Sequence, residues 1–203
     1  MKKVLVSMCI VIFSQLVFSQ KMDLKSGDFK SLKGEKTVNI EFNYSNLKLM
    51  NENLTESEYV EKRAKDLNEK TKGNGDIWKK KWEGAKETIW EPKFMALMLK
   101  TMKKAKINTT YVQDDKSSKY TILVDVVWIY PGWDAWVMKQ PAKVSMVIKL
   151  VETSNKSNVL ATLNTNNAPG DQFGSNFSNE SRIGEGFAKT AKSLGKMIKK
   201  HVK

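Results

Sequence analysis

Apolar and polar residues alternate without a break over residues 38–44. Val38, Ile40, Phe42 and Tyr44 fall on one side, and Asn39, Glu41 and Asn43 on the other. Period two is the spacing of a strand, so the segment reads as a strand with one buried and one wet face. Residues 120–130 carry a stronger signal. Tyr120, Ile122, Val124, Val126, Trp128 and Tyr130 share one face, while Leu123, Val127 and Ile129 make the other apolar around Asp125. A central strand covered on both sides has this character. It leaves room for a homodimer across the sheet, and equally for a lead-in segment over that face. Residues 142–152 place Val144, Met146, Ile148 and Leu150 inward. The polar run 154–158 is a hairpin loop, and 159–165 returns beside the preceding strand. Residues 21–36, rich in Lys, Ser and Gly, lead in as an edge segment.

Helical spacing occupies the stretches between. Thr55 and Glu58 form a capping box, in which hydroxyl and carboxylate satisfy free N–H groups reciprocally, and a helix follows to about residue 70. Residues 71–75 form a loop, and Asp76 is placed to cap a second helix with Trp78, Trp82, Ala85 and Ile89 at helical spacing. Pro92 either ends that helix or opens the next as its first residue. Phe94, Met95, Leu97, Met98, Leu99 and Met102 form the broad apolar surface of the helix that follows. Residues 166–177 read as a polar loop. Ser178 or Asn179 caps a last helix whose stripe is Ile183, Phe187, Ala191, Leu194, Ile198 and Val202. Gly184, Gly186 and Gly195 weaken this helix locally and would allow close approach to the sheet. The order β-α-α(-α)-β-β-β-α predicts an α+β fold: a single small antiparallel or mixed sheet of about four strands, with helices packed on one face.

The first twenty residues belong to a different class of segment. Lys2 and Lys3 precede a mostly apolar run from Val4 to Phe18, and Val17 and Ser19 occupy the −3 and −1 positions of a cleavage site. This is the pattern of a secretory signal peptide. Residues 1–20 are therefore assigned to the leader and 21–203 to one α+β domain. Cleavage falls after Ser19 or after Gln20. Cys9, the only cysteine, lies inside the apolar run rather than after it, so it would be removed with the leader and not lipidated. The mature chain is then free of Cys, contains no membrane span, and is expected to be soluble in the periplasm or outside the cell.

Composition narrows the chemistry. The 203 residues hold 35 Lys plus Arg against 22 Asp plus Glu, a formal charge of +13 that falls to +11 without Lys2 and Lys3. Almost all of the positive charge is Lys; Arg63 and Arg182 are the only arginines. Base reading uses the bidentate Arg fork, so the composition argues against nucleic acid. A diffuse Lys surface suits an acidic protein or an anionic envelope polymer better. One His and no mature Cys leave no zinc ligand set and no catalytic triad, and neither a phosphate-binding glycine loop nor a dinucleotide fingerprint occurs. No cofactor, metal site or catalytic residue is assigned. Asp125 and Asp134 are the carboxylates considered for acid catalysis. Asp125 has Lys149 as its expected partner. The most informative patch is aromatic: Trp128, Tyr130, Trp133 and Trp136 lie around Pro131 and Gly132, with Lys139 and Lys143 close by. Tryptophan in a connection either caps the end of a core or meets a partner. Tyr130, Trp133, Trp136 and Lys139 are the candidate binding residues.

A resemblance adds context. Residues 32–45 (Leu32-Lys-Gly-Glu-Lys-Thr-Val-Asn-Ile-Glu-Phe-Asn-Tyr-Ser45), Tyr120-Thr-Ile, Tyr130-Pro-Gly-Trp133, the run 151–159 and the run 182–196 resemble a group of uncharacterised exported proteins of Bacteroidetes bacteria. The element order is similar, more loosely, to envelope domains of the TolB amino-terminal and curli-secretion-lipoprotein type. That second likeness implies a role in an assembly but lacks the lipid-attachment Cys of the lipoprotein members. Together these readings point to an exported, non-catalytic macromolecule-binding or assembly module. The alternative is a carboxylate-dependent hydrolase acting on envelope glycan.

Overall fold

The computed structural model describes residues 20–135, 138–170 and 178–203. Residues 1–19 of the expected leader, residues 136–137 with Trp136, and residues 171–177 of the expected polar loop lie outside the described residues. Among the described residues ten strands are present: β1 (Lys21–Gly27), β2 (Thr37–Asn43), β3 (Lys48–Leu49), β4 (Leu54–Thr55), β5 (Thr110–Gln113), β6 (Tyr120–Tyr130), β7 (Trp133–Asp134), β8 (Lys139–Gln140), β9 (Ala142–Glu152) and β10 (Asn155–Gly170). Helices α1 (Glu56–Lys70), α2 (Asn74–Ala85), α3 (Glu91–Lys104) and α4 (Asn179–Val202) complete the fold, with a π-helical turn over Lys86–Trp90 joining α2 to α3.

The class is α+β, but the expected small sheet of four strands is not what forms. Eight strands make one mixed sheet, in the order β1-β10-β9-β6-β2-β5, with β3 paired to β6 and β4 to β3. A second, two-stranded ribbon joins β7 to β8. The physical reason lies in strand length. Strands of two to four residues, such as β3, β4 and β5, are too short to display period two. Pairing holds them: β5 runs parallel to β2, β3 runs parallel to β6, and β4 is antiparallel to β3 alone. The polar run 166–170, expected as loop, is the end of β10, because Ala168, Pro169 and Gly170 pair with Val144, Lys143 and Ala142. Residues 21–27 pair along the edge of β10, as their lead-in position suggested.

Several local expectations hold. The Thr55 hydroxyl accepts from the Glu58 N–H at 3.3 Å while the Glu58 carboxylate accepts from the Thr55 N–H at 2.7 Å. Pro92 opens α3 rather than ending α2. Ser178 caps α4 by accepting from the Ser181 N–H. Helix α2 begins three residues earlier than expected, with Gly73 in the left-handed region at φ 87° as its cap. Asp76 instead accepts from the Asn68 amide on α1.

Helix α4 lies across β9 and β10, with α3 beside it. Its stripe from Ile183 to Ile198 is fully buried with Trp90, Phe94, Ile122 and Ile148. The three glycines of α4 divide their work. A Cβ on Gly186 would meet Val144 of the sheet at 2.7 Å, whereas Gly184 and Gly195 face Lys93 and Thr101 on α3. The opposite face of the sheet mixes polar and apolar residues, with Asn39, Glu41, Asp125 and Lys149 beside the half-buried Leu123, Val127 and Val147. Asn39 falls on the side of β2 expected to be wet, yet it is fully buried. Its amide donates to Glu41 and Thr121, and its carbonyl accepts from the Asp115 N–H, so the loop 114–118 seals it in place.

Candidate functional site

The strand β6 ends at Tyr130, and Pro131-Gly132 turns the chain into the β7–β8 ribbon. Gly132 sits at φ +66°, and a Cβ there would lie 2.3 Å from the Gln140 carbonyl oxygen. Only glycine allows the ribbon to fold this tightly against the end of the sheet. The turn is pinned from the opposite side by Arg182, on the first turn of α4. This guanidinium is buried and donates to the Pro131 carbonyl at 3.3 Å, to the Gly132 carbonyl at 3.2 Å and to the Asn179 side chain. Burial pulls it below its ordinary pKa, with Asp134 and Glu180 acting in the opposite sense.

A groove of about 320 Å³ opens beside this turn. One wall is Tyr130, Pro131, Trp133 and Asp134. The other is α1, which contributes Tyr59, Lys62, Arg63 and Asp66 at helical spacing on one face. Met50, Glu52 and Leu54 close one end, and Asn179 with Arg182 the other. Trp133 stands at the rim, 42% exposed. Tyr59 is buried behind, packed on Trp82 at 5.1 Å and Trp78 at 6.0 Å, and burial pushes its hydroxyl up to about 12. Trp128 stacks on Tyr130 and donates to the Met50 carbonyl at 2.9 Å, which fixes the segment that closes the groove. Arg63 is half-buried and makes no hydrogen bond or ion pair with a described residue.

Of the four candidate binding residues, Tyr130 and Trp133 line this groove. Lys139 is exposed on β8, opposite Asp134 in the ribbon, and does not line it. Trp136 lies outside the described residues. Among the carboxylates, Asp125 is far from the groove on the open sheet face, where Lys149 reaches it at 3.2 Å and Asn43 donates to it at 2.8 Å. Asp134 lines the groove with Glu52 and Asp66. No group of three or more His, Cys, Asp or Glu among the described residues could hold a metal ion. His201 packs edge-on against Phe29 at 5.9 Å. Trp78 and Trp82, expected as packing residues, are that: Trp82 is fully buried and Trp78 partly so.

The residues missed by sequence reasoning are Tyr59, Lys62 and Arg63 on α1, and Arg182 on α4. A signal for two of them was available. Arg63 and Arg182 are the only arginines in a lysine-rich chain, and both come to this groove from positions 119 apart.

No protein-family model matches the sequence, and no curated protein matches it. Among solved structures, the fold is similar to the PelC dodecamer from Paraburkholderia phytofirmans at 12% identity, covering 87% of this chain and 97% of that one with a TM-score of 0.40. A variant of the same PelC dodecamer matches at 12% identity, 91% and 96% coverage and a TM-score of 0.38. No helix among the described residues is long and apolar enough to cross a membrane.

Proposed function

We propose that this protein is an exported, non-catalytic binding module of the cell envelope, and that the groove between β7 and α1 is its ligand site. One observation carries the reading: an exposed tryptophan, a half-buried arginine and a second, buried arginine converge on a single groove from three distant parts of the chain. Large exposed aromatics next to charged hydrogen-bonding groups are the usual anchors of binding surfaces. Export is supported by the basic, apolar and small-residue pattern of residues 1–20. Cleavage after Ser19 would leave Gln20 first. Its amide donates to the Thr190 hydroxyl at 3.2 Å and accepts from the Ser193 hydroxyl at 2.9 Å, both on α4. The new terminus would thus be tied to the domain.

The test immobilises the protein and passes over it the separated protein and polysaccharide fractions of the source bacterium's envelope. Trp133→Ala and Arg63→Ala are run in parallel. Capture of one fraction that both substitutions abolish supports the reading. A fraction held equally by all three proteins, or by none, refutes the groove as the site.

A further inference from the structure

We infer that the groove takes an uncharged saccharide, a short stretch of a neutral glycan; the inference rests on the reading of the groove as the ligand site and gives its ligand a chemistry. Charge is the first reason. The chain carries +13 overall, yet the groove is lined by three cations, Lys62, Arg63 and Arg182, and three carboxylates, Glu52, Asp66 and Asp134. Its formal charge is zero. An anionic polymer would meet three carboxylates there and gain more from the lysines elsewhere on the surface. A strongly cationic ligand would meet the two arginines.

The second reason is the pairing of functional groups. A pyranose offers an apolar C–H face on one side and hydroxyls around its edge, each of which both donates and accepts. The exposed ring of Trp133 supplies a flat apolar surface at the rim. Arg63 offers a rigid fork of donors, and Asp66 one turn along α1 offers acceptors only, so adjacent hydroxyls can be satisfied from both directions. Elsewhere in the molecule three half-buried carboxylates are occupied by lysine: Glu56 by Lys86 at 2.6 Å, Glu185 by Lys93 at 2.6 Å and Asp125 by Lys149 at 3.2 Å. Arg63 has been given no such partner among the described residues.

Size is the third. At about 320 Å³ the groove is at the small end of ligand sites. A folded protein partner needs roughly 800 Å² of surface on each side, with a larger apolar centre than one exposed tryptophan provides.

The experiment is a glycan array carrying neutral, uronic-acid, sulfated and amino oligosaccharides, together with the neutral glycan fraction of the source envelope. It is probed with the protein, Trp133→Ala, Arg63→Ala and the surface control Lys199→Ala/Lys200→Ala. Binding to a neutral glycan is expected, and it should change by less than about threefold between about 0.05 and 0.5 M salt. It should weaken at least about tenfold in each groove variant and not in the control. Trp133 and Arg63 are not buried, so each variant should keep the parent's melting temperature, which is measured alongside. Binding confined to acidic glycans, with a steep salt slope and lost in the lysine control, overturns the inference. So does the absence of any neutral glycan among the bound probes. If an acidic glycan or a protein fraction is bound and is lost with Trp133, the saccharide inference falls while the groove stands as the site. If nothing bound depends on Trp133 or Arg63, both fall.

Discussion

Replacing Trp90 by Phe separates a packing tryptophan from the exposed one at the groove. Trp90 ends the π-helical turn between α2 and α3 and is fully buried. Its ring stacks on Phe187 at 5.7 Å and meets Trp82 edge-on at 5.3 Å. Its Nε1–H donates to the Glu180 carbonyl at 3.0 Å, so one side chain ties the α2–α3 junction to the start of α4. Phenylalanine keeps the six-membered ring and removes the pyrrole portion with its donor. The lost hydrogen bond costs about 1 kcal/mol, at the low end because a carbonyl inside a helix keeps its helical donor. The void left by the missing atoms adds about 1–2 kcal/mol, since the packed aromatics around it cannot collapse fully. The total of about 2–3 kcal/mol corresponds to a fall in Tm of roughly 4–12 °C for a domain of this size. Urea unfolding followed by circular dichroism measures it, with Trp133→Phe as the internal control. That exposed substitution should change stability by less than about 0.5 kcal/mol. A Trp90→Phe loss below about 1 kcal/mol, or one no larger than that of Trp133→Phe, would refute the assignment of these two tryptophans to different jobs.

Burial holds the Glu91 carboxyl above its ordinary value of 4.5, against the hydrogen bonds it accepts from Gln113 and Tyr44 and with Asp114 and Glu87 adding to the rise. The folded state therefore keeps this proton more tightly than the unfolded chain, and its contribution is fully present below 4.5 and is lost as pH rises through the folded-state value. Urea midpoints across that window should fall with pH in the parent and flatten in Glu91→Gln; an unchanged slope would place the dependence elsewhere. Gly186→Ala drives a Cβ to 2.7 Å from Val144 and 3.1 Å from the Ala168 carbonyl, and should cost about 1–3 kcal/mol by calorimetry. Gly184→Ala meets the flexible Lys93 side chain at 2.8 Å and the Ile89 methyl at 3.1 Å but gains helix propensity, so it should stay within about 1 kcal/mol of the parent. Gly132→Ala adds strain of about 1–2 kcal/mol at its positive φ and displaces the ribbon from Gln140. Glycan binding in that variant should fall at least about tenfold, measured by titration. If the leader is removed as proposed, amino-terminal sequencing of the mature protein should begin at Gln20, whose amide is bonded to Thr190 and Ser193; a start at Lys21 would refute cleavage after Ser19.

Much of the local structure was legible because its causes are local. The alternation at 120–130, the Thr55–Glu58 box, the Ser178 cap and the stripe of α4 each follow from neighbours a few residues apart. The sheet was not legible in the same way. Strands β3 and β5 exist because the longer strands β6 and β2 beside them offer unpaired backbone groups, and β4 pairs only with β3; no property of Lys48-Leu49 or Leu54-Thr55 announces those partners. Asn39 shows the same limit at one residue. Its position in the alternation marks it as wet, and only the return of the loop 114–118 buries it.

The groove divides along the same line. Composition alone, with one Cys and one His, excluded a disulfide within the chain and multi-histidine chemistry, placed almost all the positive charge on lysine, and drew attention to the tryptophans around Pro131-Gly132. These follow from which residues are present and from short spacings, which folding does not alter. That Tyr130 and Trp133 line one groove with Arg63, that Arg182 is buried as the pin of the turn, and that Lys139 does not line the groove was decided in three dimensions. The convergence depends on a glycine turn at 132, on the α1 face from Tyr59 to Asp66, and on the start of α4 arriving beside both. Packing brings these segments together, and sequence separation carries no information about it.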